Sequence, residues 1–245
     1  MYHSITFGQL ATENGVTRVV GKNTWDDWHL IPSSRPSTAM PEPNANVVDI
    51  PFRDGALDIS EAVTGFMTYK DRSGSWEFYI ANDYHYWVVL KSAIANYLHG
   101  KKMLVQFEDD PEYYYEGRLS VNEFKSQAVN STITINYVLR PYKYSIQSEN
   151  WDWLWDPFNF VTGVIQQRHD IEVPASVLIV GGRMRGYPTL VASTSGITVS
   201  LNGGNATTLS QGRNVMTDML LDEGDNTLTF GGTGTVDIEY REGSL

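Results

Sequence analysis

The sequence predicts a mainly β protein built from two units, on three observations. Residues 131–139, STITINYVL, alternate apolar and polar without a fault, which is the period of a strand buried on one face. After about residue 170, short β-prone runs are separated by glycine-rich turns, the pattern of a β-sandwich. Between these regions the composition changes: all 7 lysines lie at or before Lys143, and 13 of the 21 glycines lie after it. We divide the chain into residues 1–145, a connecting segment 146–168, and residues 169–245.

Taken in order, the first stretch, MYHSITFGQL, has no basic region followed by an apolar run and does not read as a secretory signal. Residues 31–56 contain Pro32, Pro36, Pro41, Pro43 and Pro51. Each removes a backbone donor, so a helix is forbidden and an extended arm or long hairpin is expected, of the kind that is usually functional in a compact domain. YWVVLKSAIANYLHG places Trp87, Leu90, Ile94, Tyr97 and Leu98 at helical spacing, with Gly100 as the stop. Three runs then read as a meander: Lys102–Phe107, Tyr113–Val121 and Ser131–Leu139, the first two joined by the turn EDDPE. In the second unit Ile197, Val199 and Leu201 alternate before a turn at Asn202–Gly204. Leu228 and Phe230 precede a glycine-rich turn, and Val236, Ile238 and Tyr240 follow it. No internal repeat is expected.

The totals exclude several classes of function. The chain has 245 residues, 41% of them hydrophobic, and a net charge of −11. Residues 1–144 carry 17 acids and 13 bases, and residues 145–245 carry 12 and 5. So acidic a surface lacks the clustered Lys and Arg that grip phosphate, although it suits a wall past which DNA slides without sticking. No cysteine is present, so disulfides, thiolate metal sites and cysteine nucleophiles are excluded. No apolar stretch reaches about 18 residues, the length that spans a membrane. Asn130 and Asn205 fit the glycosylation pattern, but without a secretion signal both read as chance matches.

Four features of the sequence bear on chemistry. The 5 histidines are scattered without metal-ligand spacing; Asp26, Asp27 and His29 would lie on opposite sides of an extended chain, so no metal or other cofactor is expected. Glu108, Asp109 and Asp110 have the makings of a carboxylate pair for glycoside hydrolysis. At a hairpin tip they read instead as hydrated turn residues. No nucleophile elbow or phosphate loop occurs. In WDWLWD, an extended chain puts Trp151, Trp153 and Trp155 on one face; they stack on sugars or plug a gap between units or subunits, and the boundary position favours the plug.

TWDDWHLIPSSRP, VVDIPFRDGALDISEAVTG, DRSGSWEF, NYLHGKKM, EDDPEYYYEGRLSV and STITINYVLRPYK together resemble the N-terminal half of the distal tail proteins of long-tailed bacteriophages. LLDEGDNTLTFGGTGTVDIEYREGSL is similar to the end of that family. The resemblance implies a non-enzymatic hub. Its N-terminal β-sandwich domains form a homohexameric ring around a DNA channel, and its C-terminal domain is a galectin-like β-sandwich. It also implies a place in the virion at the distal end of the tail, assembled in the bacterial host cytoplasm. Its partners are then the tail tube protein, the tail-associated tip protein and, in some phages, a receptor-binding protein, with no membrane contact. On this reading Trp25 and Trp28 anchor a subunit interface, Asp26, Asp27, Arg35 and Arg53 set its register, and His29, Trp151, Trp153 and Trp155 add to it. A carbohydrate-binding module and a tip-associated glycan hydrolase remain the alternatives.

Overall fold

The computed structural model describes residues 3–13, 16–81, 84–126, 131–146 and 168–245. The chain divides into two compact units, Met1–Lys143 with Leu245, and Tyr144–Ser244.

The first unit contains β1 (Ile5–Glu13), β2 (Val16–Asn23), β3 (Leu30–Pro32), β4 (Val47–Val48), β5 (Leu57–Asp58), β6 (Arg72–Ile80), α1 (Trp87–Leu98), β7 (Lys102–Phe107), β8 (Asp110–Ser126) and β9 (Ser131–Leu139). Its main sheet runs β2-β1-β7-β8-β9-β6-β3, and each of these pairings is antiparallel. The meander β7–β8–β9 and helix α1 stand where the sequence placed them. Ile133, Ile135, Tyr137 and Leu139 are buried as their alternation requires. They meet Ile5 and Phe7 from β1, Trp76 and Phe78 from β6, Leu119 from β8, and Ile94 and Leu98 from α1 in one cluster. Because the inward faces of all these strands converge on that cluster, the sheet wraps around it. Gly100 has φ +77°, the left-handed conformation that ends a helix without steric cost.

Two expectations are corrected here. The proline-rich segment opens with a short strand, since β3 pairs with β6 from Leu30↔Ile80 to Pro32↔Phe78. Pro32 is tolerated because β3 is the edge of the sheet, where a missing donor breaks no ladder. The arm that follows is also longer than 31–56. It runs from Ser33 to Asp71, and the two-residue strands β4 and β5 pair near its far end.

β10 (Lys143–Ser145) starts at the last residue of the first unit's main segment, and the second unit goes on with β11 (Ile171–Gly181), β12 (Thr189–Ala192), β13 (Thr198–Leu201), β14 (Thr207–Thr208), β15 (Gly212–Val215), β16 (Gly224–Glu239) and β17 (Gly243–Ser244). The six-stranded sheet has the order β14-β13-β16-β12-β15, with β11 also on β16; β10 and β17 are not part of it and pair with each other. The glycine-rich stretch expected to be a turn is the middle of one 16-residue strand. β16 pairs with β13 through Leu228–Gly231 and with β12 through Val236–Glu239. Between these halves Gly232 and Gly234 have φ +104° and +130°, values that only glycine adopts readily. Opposite the bend, the β11 register shifts between Val173 and Ala175. The long strand therefore folds over, and its two halves serve two leaves that enclose Ile179, Leu190, Ile197, Leu228, Phe230, Val236, Ile238 and Tyr240.

Two loops of the second unit share one design. Asn214 donates to the carbonyls of Ser210 and Gly212 and accepts from the Ser210 N–H. Asn226 does the same with Asp222 and Gly224. Gly212 and Gly224 both have positive φ, +92° and +91°. One five-residue loop, ending Gly-x-Asn, is thus used twice before two strands.

Candidate functional site

The feature that the fold leaves without an internal role is the arm. Its root is held by buried polar groups. Trp76 Nε1 donates to the Ser37 carbonyl at 2.8 Å. Arg72, only 3% exposed, donates to the carbonyl of Pro141 (2.7 Å), to Thr38 Oγ1 (3.2 Å) and to the carbonyl of Ala39 (3.3 Å). The Ala39 N–H donates to Tyr137 Oη at 3.1 Å. Burial holds the Arg72 pKa below its ordinary value, partly opposed by the nearby Tyr115 and Tyr137. The returning leg is tied by Asn44 N–H to the Thr68 carbonyl and Lys70 N–H to the Glu42 carbonyl, both 2.8 Å.

The acids of the β7–β8 turn are bonded within the chain, one of them to the arm root, which corrects the expectation that they are merely hydrated. Asp109 accepts from Arg35 Nε at 2.8 Å and lies 2.9 Å from His3 Nδ1. Hydrogen bonds from Arg35 and then His3 hold its carboxyl below the usual range. Glu108 accepts from the N–H and hydroxyl of Ser4, at 2.8 and 3.1 Å. Asp110 pairs with Lys143 at 2.7 Å. Three adjacent acids thus bind four separate partners.

Beyond the root the arm shows apolar side chains to solvent. Met40 is 74% exposed, Val47 59%, Phe52 110% and Val63 95%; Val48, Ile50 and Leu57 are exposed as well. An exposed apolar set of this extent on a projecting segment marks an interaction surface. Sequence reasoning missed these residues. The signal was VVDIPF, an apolar run broken by Asp and Pro that has neither helical nor strand period.

The residues expected at an interface are dispersed. Residues 23–29 form a tight turn rather than an extended chain, with the His29 N–H bonded to the Trp25 carbonyl at 2.9 Å. Trp28 is corrected from interface anchor to core: it is 5% exposed, 6.2 Å from the Phe7 ring and 5.8 Å from Tyr97. Trp25 is half-buried, with its ring edge-on to His29. Asp27 accepts from the Asn23 N–H (2.8 Å) and Lys22 Nζ (2.6 Å). Burial pushes its pKa up, but these donors outweigh that and leave it lowered. Asp26, His29 and Arg53 are exposed, Arg53 on the arm. Arg35 is exposed yet spent on Asp109. Trp151, Trp153 and Trp155 lie outside the described residues. Among the described residues no group of His, Asp and Glu is arranged to hold a metal, and no helix is long and apolar enough to cross a membrane.

Both units are thus built from curled antiparallel sheet, with a single α-helix among the described residues. No protein-family model and no curated protein matches the chain. Its fold is that of the crystal structure of the SPP1 Dit (gp 19.1) protein, described as a paradigm of the hub adsorption apparatus in Gram-positive infecting phages. That match has a TM-score of 0.63 and covers 100% of both chains at 14% identity.

Proposed function

We propose that this chain is a structural hub subunit at the distal end of a phage tail. Six copies form a ring through the first unit, surround a channel for DNA, and join the tail tube to the tail-tip apparatus. The observation that carries this reading is the correspondence of fold with SPP1 Dit over the whole of both chains. The arm supports assembly, because a root pinned by Trp76, Arg72 and Tyr137 spares an interface the entropy of ordering it. The net charge of −11 supports a wall that DNA passes without binding. A non-catalytic role is supported by Glu108, Asp109 and Asp110, each of which is committed to a partner within the chain.

The second unit serves in this proposal as a scaffold rather than a lectin. Among residues 168–245 the aromatics are Tyr187, Phe230 and Tyr240, and the last two are each 2% exposed. Tyr187, 53% exposed, is the one aromatic that these residues leave at the surface, and a single ring supplies little of the platform that sugar-binding sandwiches offer.

Mass measurement and negative-stain imaging of the purified chain, together with imaging of tails that contain it, test the reading. Six-fold density at the end of the tail tube is expected. A different symmetry at this protein, or its absence from tails, would sink the proposal.

A further inference from the structure

We propose that a depression on the outer face of β7, β8 and β9 receives the acidic, apolar tip of the arm from a second copy of this chain. The inference rests on the ring reading above and names the surface on which one subunit grips the next.

The depression has a volume of about 440 Å³ and is lined by Asp71, Lys102, Arg118, Leu119, Val138 and Arg140 among others. Val138 stands 50% exposed on the outward face of β9. Glu116 lies beneath the bases, 2.5 Å from Lys102 Nζ and 3.5 Å from Arg140 Nε, and Arg118 donates to the Gly100 carbonyl. With Asp71 and Glu116 set against Lys102, Arg118 and Arg140, the site keeps a net charge of +1. That sign is notable on a chain of net charge −11.

The arm tip has the matching character. From Val47 to Glu61 it carries Asp49, Asp54, Asp58 and Glu61 against Arg53, a net −3. Its centre is Phe52, with φ +67° and full exposure. A bulky residue in the left-handed region is uncommon and costly, and here it projects an aromatic ring into solvent beside Ile50. An apolar group flanked by acids suits a recess with an apolar floor and a basic rim.

The tip does not fill the depression of its own chain. No residue from Val47 to Glu61 lines it, and Phe52 is fully exposed to solvent. The two surfaces are complementary and lie at different places on one chain. Such a contact is heterologous: it repeats from copy to copy and closes into a ring when the rotation allows. That is why the occupant is a second copy rather than an unrelated protein.

Because the chain has no cysteine, disulfide trapping reads the contact directly in the full-length protein. Phe52→Cys mixed with Val138→Cys under mild oxidation should give a cross-linked dimer, and the double variant a ladder of multimers. Phe52→Cys mixed with Val215→Cys, a 62% exposed site in the second unit, should give neither. Lys102→Glu with Arg118→Glu should abolish the 52–138 product, and adding Asp49→Lys with Asp54→Lys should restore it. A 52–138 yield no greater than the 52–215 control, or no product at all, overturns the docking proposal. A six-fold ring without that cross-link refutes this contact while leaving the hub reading intact, whereas absence of the protein from tails refutes the hub reading itself.

Discussion

Replacing Trp28 by alanine separates two accounts of the turn that carries it. If Trp28 anchors a subunit contact, its loss costs about 2 kcal/mol or more at each interface and leaves the isolated chain as stable as before. The structure puts the ring inside instead, 5% exposed and stacked on Phe7, with Tyr97 edge-on. Burying an indole removes roughly 150–250 Å² from water, worth about 4–6 kcal/mol at 25 cal/mol/Å². Alanine keeps part of that contact but leaves a cavity, and comparable core truncations cost about 3–5 kcal/mol. Against a typical domain stability of ~5–15 kcal/mol, the first unit of Trp28→Ala should be close to unfolding. Urea titration followed by tryptophan fluorescence reports on it, since no tryptophan lies in residues 168–245. Trp28→Phe, which keeps an aromatic ring, should fall between wild type and alanine. A midpoint for Trp28→Ala within error of wild type, combined with failed assembly, would refute the core account and reinstate the interface one.

Three further outcomes are expected. Asp109→Asn should loosen both the N-terminal segment and the arm root, costing about 1 kcal/mol because the Arg35 donor is exposed. The folded Asp109 pKa is lowered, so its contribution is complete above the ordinary carboxylate pKa of about 3.9 and disappears as pH falls through the folded value; stability of wild type and variant should therefore converge in acid, and a constant difference down to the lowest pH would contradict the assignment. Asn226→Ala leaves buried carbonyls and an N–H without their partner, so ~1–3 kcal/mol should be lost from the second unit, read as a drop in thermal midpoint; an unchanged midpoint would show that the loop holds without it. Gly234→Ala forces a Cβ to φ +130° within 2.7 Å of Thr194 Oγ1. A loss of roughly 1–3 kcal/mol is expected, and full retention of stability would mean that β16 does not need its bend there.

The alternation of Ser131–Leu139, the helical spacing of Trp87–Leu98 and the two β-rich halves were legible in the sequence, because period and turn chemistry are local properties. The mainly β fold follows from them. What local reasoning could not decide is where a segment sits relative to others. GGTG reads as a turn by composition, yet β11, β12 and β13 claim both sides of it, and pairing along the strand turns a break into a bend. Trp28 lies in a polar stretch that reads as extended and exposed, but β1 and α1 bring Phe7 and Tyr97 to its ring. Glu108, Asp109 and Asp110 look like a hydrated tip until His3, Arg35 and Lys143 arrive from distant parts of the chain. The arm was visible as prolines that forbid a helix, whereas the exposure of Phe52 and Val63 was not, since exposure is what remains after every other segment has taken its place. Periodicity is written residue by residue, but burial and partnership are sums over the whole fold, and only the tertiary structure carries out that sum.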